Sequence, residues 1–191
     1  MLIICEGIDK CGKSTFINNL GIPVYEANNE WGADTTKPLD YNNFKSMKTI
    51  DYFYNFRHQL HDKNIGLHLG PDDEHVFKTA TKYLEISKVC NLYLDRSWIS
   101  ELCYGPVYRN KSRLNSIDEK IILKELKSIP HQILWFDCDI NTKYLRRLNP
   151  YNEFECNINK IRKVDYNYKK IMNNYAENNI NIMHIEMIKG V

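Results

Sequence analysis

The stretch GIDKCGKS at residues 7–14 decides the fold of this 191-residue chain. It has the spacing G-x-x-x-x-G-K-[ST] of a loop that wraps the phosphates of a nucleoside triphosphate. The apolar run at residues 2–5 is typical of a buried strand, and residues 14–20 are typical of the first turns of a helix. A strand, a glycine-rich turn and a helix in this order are the setting that a phosphate loop needs.

The residue types within this loop match the chemistry of phosphate binding. Gly7 and Gly12 let backbone N–H groups turn toward phosphate oxygens, because neither has a Cβ in the way. The N-terminus of the following helix adds a partial positive charge. We expect Lys13 to reach the β- and γ-phosphates and the Ser14 hydroxyl to bind Mg²⁺. The alternative is a glycine turn that precedes a helix by chance.

The composition indicates an ordinary globular protein. Charged residues make up 26% of the chain, the formal net charge is +2, and 43% of the residues are hydrophobic. These values disfavour a protein that coats a polyanion and a chain that is disordered throughout. No apolar stretch reaches the length of a membrane span, and the N-terminus does not resemble a signal peptide. We therefore expect no membrane partner and no stable nucleic-acid partner.

The six cysteines bear on the cellular compartment. They form no C-x-x-C pair and no metal-ligand pattern with the histidines, so we expect free thiols in a reducing cytoplasm. Asn, Ile, Lys and Tyr are abundant, a bias that often follows an AT-rich viral or bacterial genome. The predicted location is cytoplasmic, and it is the host cytoplasm if the protein is viral.

Strands and helices alternate along the rest of the chain. The apolar patterns predict strands at residues 22–25, 92–94, 132–136 and 180–185. They predict helices at residues 41–62, 74–90, 97–104, 116–128, 141–148 and 158–177, with a loop at 66–73. This alternation predicts an α/β fold, a three-layer parallel sheet with helices on both faces, in a single domain over residues 1–191. In such a sheet ligands bind at the carboxyl ends of the strands.

A second group of candidate site residues begins at Asp95 and Arg96, directly after a predicted buried strand. An aspartate in that position can hold Mg²⁺ as a Walker B carboxylate does, and the adjacent arginine can clamp a second phosphate. The alternative is an aspartate that caps the next helix beside a surface arginine. Arg109 and Arg113 lie farther along, where contact with phosphate and exposure at the surface are both compatible with the pattern.

The segment DRSWISELCYG at residues 95–105 completes a family likeness. Together with EGIDKCGKST at 6–15 and YLRRLNPYNEFE at 144–155, it resembles thymidylate kinase and related P-loop deoxynucleoside monophosphate kinases, including phage forms. The likeness covers the first strand and helix and the chain from residue 92 onward, and residues 26–75 carry little of it. Matches to the family pattern in the later part fall at Asp95, Arg96, Ser100, Tyr104, Leu145, Arg147 and Glu155.

The resemblance implies a P-loop nucleotide kinase fold with a short LID and an ATP-dependent transfer of the γ-phosphoryl group to a nucleoside monophosphate such as dTMP. It implies ATP and Mg²⁺ as cofactors and a homodimer as the assembly. The implied ATP contacts are Gly7, Lys10, Cys11, Gly12, Lys13, Ser14 and Thr15. The implied metal ligands are Ser14 and Asp95, and the implied catalytic residues are Lys13, Asp95, Lys10 and Arg147.

The same resemblance assigns roles in binding the acceptor. Asp9 is expected to accept a hydrogen bond from the 3′-hydroxyl of the acceptor sugar, and Arg96 to hold the acceptor phosphate. Ser100 is expected to line the acceptor pocket, and Tyr104 to pack beside the sugar or the base.

The chain departs from the family pattern at places that bear on the preferred base. The segment at residues 24–27 lacks the phosphate-binding arginine of the family, and Glu153 stands where the LID has an arginine. Ser97 replaces the usual aromatic residue or histidine and is similar to the E-R-S motif of deoxynucleoside kinases. The family's base-reading arginine has no clear counterpart, and the candidates for that role are Arg57, His75, Lys78 and Lys82.

Other functions are compatible with parts of the pattern. A GTPase-like switch needs N-K-x-D, which is absent, and a separate D-x-x-G, whereas the only D-x-x-G lies inside the phosphate loop. A kinase that acts on nucleic acid or a modified base needs a long basic track, for which the net charge of +2 offers little support. A deoxynucleoside kinase is favoured slightly by Ser97 and would use a carboxylate base.

Overall fold

The computed structural model describes residues 1–27, 48–70, 74–140 and 157–186. The strands are β1 (Leu2–Glu6), β2 (Val24–Glu26), β3 (Asn64–His68), β4 (Asn91–Asp95), β5 (His131–Asp137) and β6 (Ile182–Glu186). The helices are α1 (Lys13–Asn19), α2 (Thr49–Asn55), α3 (Val76–Ser87), α4 (Trp98–Tyr108), α5 (Ser116–Leu126) and α6 (Ile158–Glu177), with a 3₁₀ turn at Arg57–Gln59.

The six strands form one sheet in the order β2-β3-β4-β1-β5-β6, and every neighbouring pair is parallel. From β1 the chain crosses to the edge strand β2, returns through β3 and β4, and continues past β1 to β5 and β6. The crossovers therefore run in both directions along the sheet, which places helices on both faces because crossovers between parallel strands are right-handed. The predicted α/β class with a parallel sheet is therefore confirmed. Among the described residues, no helix is both long enough and apolar enough to span a membrane.

The strand β3 is the main correction to the predicted elements. Residues 66–68 were expected in a loop, but they pair with β2 on one side and β4 on the other. Ile65 and Leu67 are the apolar signal, and Gly66 between them obscures it. A Cβ on Gly66 would lie 2.7 Å from the carbonyl oxygen of Pro23, so close approach of the neighbouring backbone requires glycine there.

Most other predicted elements are present with shifted ends. The helix expected at 41–62 is, in the described residues, the shorter α2 followed by the 3₁₀ turn, and residues 41–47 lie outside the described part. The helix expected at 97–104 continues to Tyr108 although Pro106 lies inside it. The helix predicted at 141–148 lies outside the described residues.

The core lies on both faces of the central strands. Ile4 and Cys5, neighbours in β1 whose side chains lie on opposite faces of the sheet, are both fully buried, as parallel strands covered by helices require. The register places Cys5 of β1 beside Asp95 of β4, and Asp95 beside His68 of β3. The polar residues that end β3 and β4, and the loop that follows β1, therefore meet at one edge of the sheet.

Candidate active site

The loop after β1 has the backbone that its glycines predicted. Gly7 has φ 141° and Gly12 has φ 93°, both in the region that favours glycine. A Cβ on Gly7 would lie 2.3 Å from the carbonyl oxygen of Phe136, so no larger residue fits there. Lys10 lies at the exposed tip of the loop with φ 62°. The turn brings the chain back toward the sheet edge before α1 begins at Lys13.

The side chain of Lys13 lies inside this loop. It is 5% exposed, and Nζ donates hydrogen bonds to the carbonyl oxygens of Gly7 at 2.9 Å and Ile8 at 2.8 Å. These partners are neutral, and in the part of the chain that the structure describes the ammonium group forms no salt bridge with a carboxylate. A phosphate oxygen in the loop can therefore replace these carbonyl oxygens as the acceptor for Lys13 without breaking such a salt bridge.

Ser14 and Asp95 connect the loop to the end of β4. The Ser14 hydroxyl donates to Asp95 Oδ2 at 2.6 Å, and the carboxylate is almost completely buried. A hydroxyl and a carboxylate oxygen are hard ligands of the kind that Mg²⁺ takes beside nucleotide phosphates. The pair thus fits the predicted metal site. The alternative capping role of Asp95 is not observed, because Ser97 caps α4 by accepting a hydrogen bond from the Ile99 amide at 3.2 Å.

Arg96 joins three of the predicted acceptor-binding residues. It adopts φ 72°, an unusual conformation for a non-glycine residue, and its guanidinium forms an ion pair with Asp9. The same group lies 3.3 Å from the Ser100 hydroxyl and stacks on the Tyr104 ring at 5.0 Å. The Tyr104 hydroxyl donates to the other carboxylate oxygen of Asp9 at 3.0 Å. The four side chains therefore form one cluster.

The charges in this cluster change the pKa of Asp9. Burial alone would raise the pKa of this carboxyl group, but the positive charges of Arg96 and Lys13 and the hydrogen bond from Tyr104 outweigh it. The pKa of Asp9 therefore lies below its usual value, and the carboxylate is ionised at neutral pH. An ionised Asp9 can accept a hydrogen bond from a substrate hydroxyl.

One cavity of about 510 Å³ contains both groups of residues. Its lining includes the phosphate loop and the wall formed by α4 and its ends, with the end of β3 between them. The predicted site residues that line it are Asp9, Lys10, Gly12, Lys13, Ser14, Thr15, Asp95, Arg96, Ser100 and Tyr104. Such a volume is in the usual range for a small-molecule site.

The remaining predicted residues have other positions. Cys11 is buried inside the loop, and burial raises the pKa of its thiol. Arg147 lies outside the described residues. The four candidates for base recognition are absent from the cavity lining; Arg57 stacks on Tyr54 at 4.7 Å, and Lys82 pairs with Asp51.

Among the cavity residues that were missed or left undecided at the level of sequence, three have polar or charged side chains. His68 lines the cavity from the end of β3, and its Nδ1 donates to the Asp95 carbonyl oxygen at 2.6 Å. Glu101 and Arg109 form an ion pair in the wall, and the Arg113 amide donates to Glu101 at 2.7 Å. The strand signal of β3 could have indicated His68. Nothing in the sequence indicates that the chain after α4 folds back onto Glu101.

No protein-family model and no curated protein matches the chain. Among solved structures, it is similar to the YorR protein of Bacillus subtilis in complex with phosphorylated GDP, at 17% identity and a TM-score of 0.57, over 97% of this chain and 85% of that one. It is also similar to deoxyadenosine kinase from M. mycoides with bound dCTP, at 14% identity and a TM-score of 0.45, over 97% and 90% of the two chains.

A further structure with likeness is thymidylate kinase from Ehrlichia chaffeensis, at 13% identity and a TM-score of 0.45, over 100% of this chain and 89% of that one. At these identities the likeness to YorR shows a shared fold, and the identity of the substrate has to be argued from the site.

Proposed function

We propose that this protein is a nucleotide kinase that transfers the γ-phosphoryl group of ATP to a deoxynucleoside monophosphate, dTMP or a similar nucleotide. The observation that carries the proposal is the shared cavity: Lys13 and Ser14 of the phosphate loop open onto the same space as Arg96. One side is built for a triphosphate, and the other offers a half-buried guanidinium for a second phosphate.

Each side chain has a defined task in this reaction. Lys13 leaves the carbonyl oxygens of Gly7 and Ile8 and donates to the triphosphate. Arg96 exchanges part of its pairing with Asp9 for the acceptor phosphate, and the released carboxylate oxygen accepts a hydrogen bond from the sugar hydroxyl. Tyr104 packs against the acceptor and continues to hold Asp9. These exchanges align the two phosphates, which is most of what phosphoryl transfer requires.

The metal site supports the same reaction. Ser14 and Asp95 would hold Mg²⁺, which neutralises charge on the β- and γ-phosphates when bound. We expect Lys10, at the loop tip, and Arg147, in the LID, to add positive charge from opposite sides of the ATP phosphates. A homodimer, a cytoplasmic location and a single domain over residues 1–191 remain predictions, and gel filtration with light scattering tests the first of them.

A deoxynucleoside kinase is the second candidate, and the ion pairs of the cavity favour it. Both arginines of the wall are already paired, Arg96 with Asp9 and Arg109 with Glu101. An acceptor without a phosphate leaves these pairs intact, and a cavity carboxylate could accept the proton of its hydroxyl group.

A coupled assay of ADP release separates these functions. The purified protein is supplied with ATP, Mg²⁺ and, in parallel, the deoxynucleosides, their monophosphates and a short DNA. We expect turnover with at least one monophosphate and much slower turnover with the matching nucleoside. Faster turnover with the nucleoside establishes the second candidate, and turnover with DNA alone contradicts both.

A further inference from the structure

We infer that Tyr168 of α6 is a positioning residue for the acceptor site, acting on Arg96 through a buried hydrogen-bond network centred on Glu6. The inference rests on the proposed role of Arg96 in holding the acceptor. Neither Glu6 nor Tyr168 lines the cavity. Their effect is therefore indirect, through the two serines that begin α4.

The network is organised by the Glu6 carboxylate, which is 0% exposed. One oxygen accepts hydrogen bonds from the Ser97 amide at 2.6 Å and the Ser97 hydroxyl at 2.7 Å. The other accepts from the Ser100 hydroxyl at 2.7 Å and the Tyr168 hydroxyl at 3.0 Å. A buried carboxylate needs such partners, so this set of donors maintains the geometry of the start of α4.

Arg96 is held between the residues that Glu6 binds. Ser97 follows it directly, and Ser100 lies 3.3 Å from its Nη1. A non-glycine residue keeps φ 72° only where its surroundings impose it, and the hydrogen bonds that the Ser97 amide and hydroxyl donate to Glu6 contribute to that constraint. The direction of the guanidinium toward Asp9 therefore depends on the network beneath it.

The number of hydroxyl protons explains why Tyr168 matters. Three oxygens lie within hydrogen-bond distance of one another: one Glu6 oxygen, the Ser100 hydroxyl and the Tyr168 hydroxyl, the last two 2.8 Å apart. The two hydroxyl groups have one proton each, so they supply two protons for these three contacts. When the Ser100 hydroxyl donates its proton to Glu6, its oxygen can accept hydrogen bonds from Arg96 and Tyr168. The Tyr168 hydroxyl thus influences the orientation of the Ser100 hydroxyl toward Arg96.

The substitution Tyr168→Phe tests this inference with little disturbance of packing. Phenylalanine keeps the ring, which packs edge-on against Tyr104 at 6.3 Å between centroids. The matched control is Tyr175→Phe, seven positions along the same helix, whose buried hydroxyl donates to Glu119 at 2.8 Å. Each variant loses a hydroxyl that donates to a carboxylate, but only the bond of Tyr168 belongs to the network under Arg96.

We expect Tyr168→Phe to raise the KM of the acceptor about three- to tenfold, the range of one net hydrogen bond, with kcat lowered less and the KM of ATP unchanged. Tyr175→Phe should leave the acceptor KM at the wild-type value while lowering the melting temperature by a similar amount. Equal effects of the two variants on the acceptor KM would overturn the inference.

A double-mutant cycle with Arg96→Ala supplies the second test. If Tyr168 acts through Arg96, Tyr168→Phe has no further effect on the acceptor KM once Arg96 is removed, and additive effects contradict the inference. Failure of the proposed function is visible in the wild-type protein alone, as preference for a nucleoside over its monophosphate. In that case the same cycle is measured with the nucleoside as acceptor, and it shows whether Tyr168 acts through Arg96 whatever the outcome for the proposed function.

Discussion

The positively charged side chains of the phosphate loop and of the wall opposite it have different partners. We call this wall the acceptor wall and define it by Arg96, Ser100, Glu101, Tyr104 and Arg109. In the loop, Lys13 donates to neutral carbonyl oxygens. In the acceptor wall, Arg96 and Arg109 are each paired with a carboxylate.

This difference has a consequence for selectivity. A phosphate that binds Lys13 replaces neutral partners, so under the proposed function we expect the loop to accept any triphosphate of suitable shape. A ligand that binds Arg96 has to compete with Asp9, and it succeeds only if the rest of the acceptor compensates for the weakened pair. The acceptor wall therefore contains the groups that can discriminate between substrates.

The largest expected effect concerns the loop. Lys13→Ala should lower kcat by about 10²–10³-fold, because the migrating phosphoryl group loses a preorganised cation. The matched control is Lys120→Ala, an exposed lysine on α5 that should leave kcat unchanged. Coupled turnover and circular dichroism measure the two effects. Wild-type turnover in a folded Lys13→Ala protein would contradict the assignment of the phosphate loop.

The acceptor wall should respond with a different kinetic signature. Arg96→Ala should cost about 2–5 kcal/mol in kcat/KM for the acceptor and leave the affinity for ATP nearly unchanged. Arg57→Ala is the matched control, because Arg57 also stacks on a tyrosine ring but lies outside the cavity lining. Equal loss of ATP and acceptor affinity in Arg96→Ala would remove the distinction between the two regions.

Substitutions of Lys10 and Arg147 test whether cations other than Lys13 stabilise the transition state. Lys10→Ala and Arg147→Ala should each lower the single-turnover rate by about tenfold or more while ATP binding changes little, because each cation acts mainly in the closed, reacting complex. Arg162→Ala, an exposed arginine on α6, is the control. Unchanged single-turnover rates in both variants would place both residues outside the chemistry.

The smallest expected effect is on stability in acid. The pKa of Asp9 is lower in the folded protein than in the unfolded chain, so the carboxylate stabilises the fold above about pH 4, and this contribution is lost as the pH falls through the folded pKa. Asp9→Asn should remove about 0.5 kcal/mol of acid-dependent stability.

Urea unfolding of Asp9→Asn between pH 2 and 7 measures this difference, with Asp62→Asn at an exposed position as the control. The variant and the wild type should differ most at neutral pH and converge in acid. A constant difference across the pH range would show that Asp9 does not depend on the charges of the acceptor wall.

The phosphate loop and the rest of the cavity also differ in how far they could be predicted from the sequence. The loop was predictable because the spacing of Gly7, Gly12, Lys13 and Ser14 is local and its binding groups are mainly backbone N–H groups. Asp95 and Arg96 were predictable as the end of a buried strand. His68 was missed because Gly66 obscures the apolar pattern of β3, and the membership of Arg109 in the cavity was not predictable, since the segment after α4 folds back.

The sequence by itself determined the α/β class, the glycine-rich loop and most of the polar residues that line the cavity, because apolar periodicity, glycine spacing and strand ends are properties of neighbouring positions. Only the tertiary structure decided how the positive charges are compensated. Which carboxylate meets which arginine, and that Glu6 and Tyr168 lie beneath Arg96, depends on residues up to 162 positions apart. Such contacts follow from the order of strands in the sheet and the packing of α4 against α6, which no local pattern encodes.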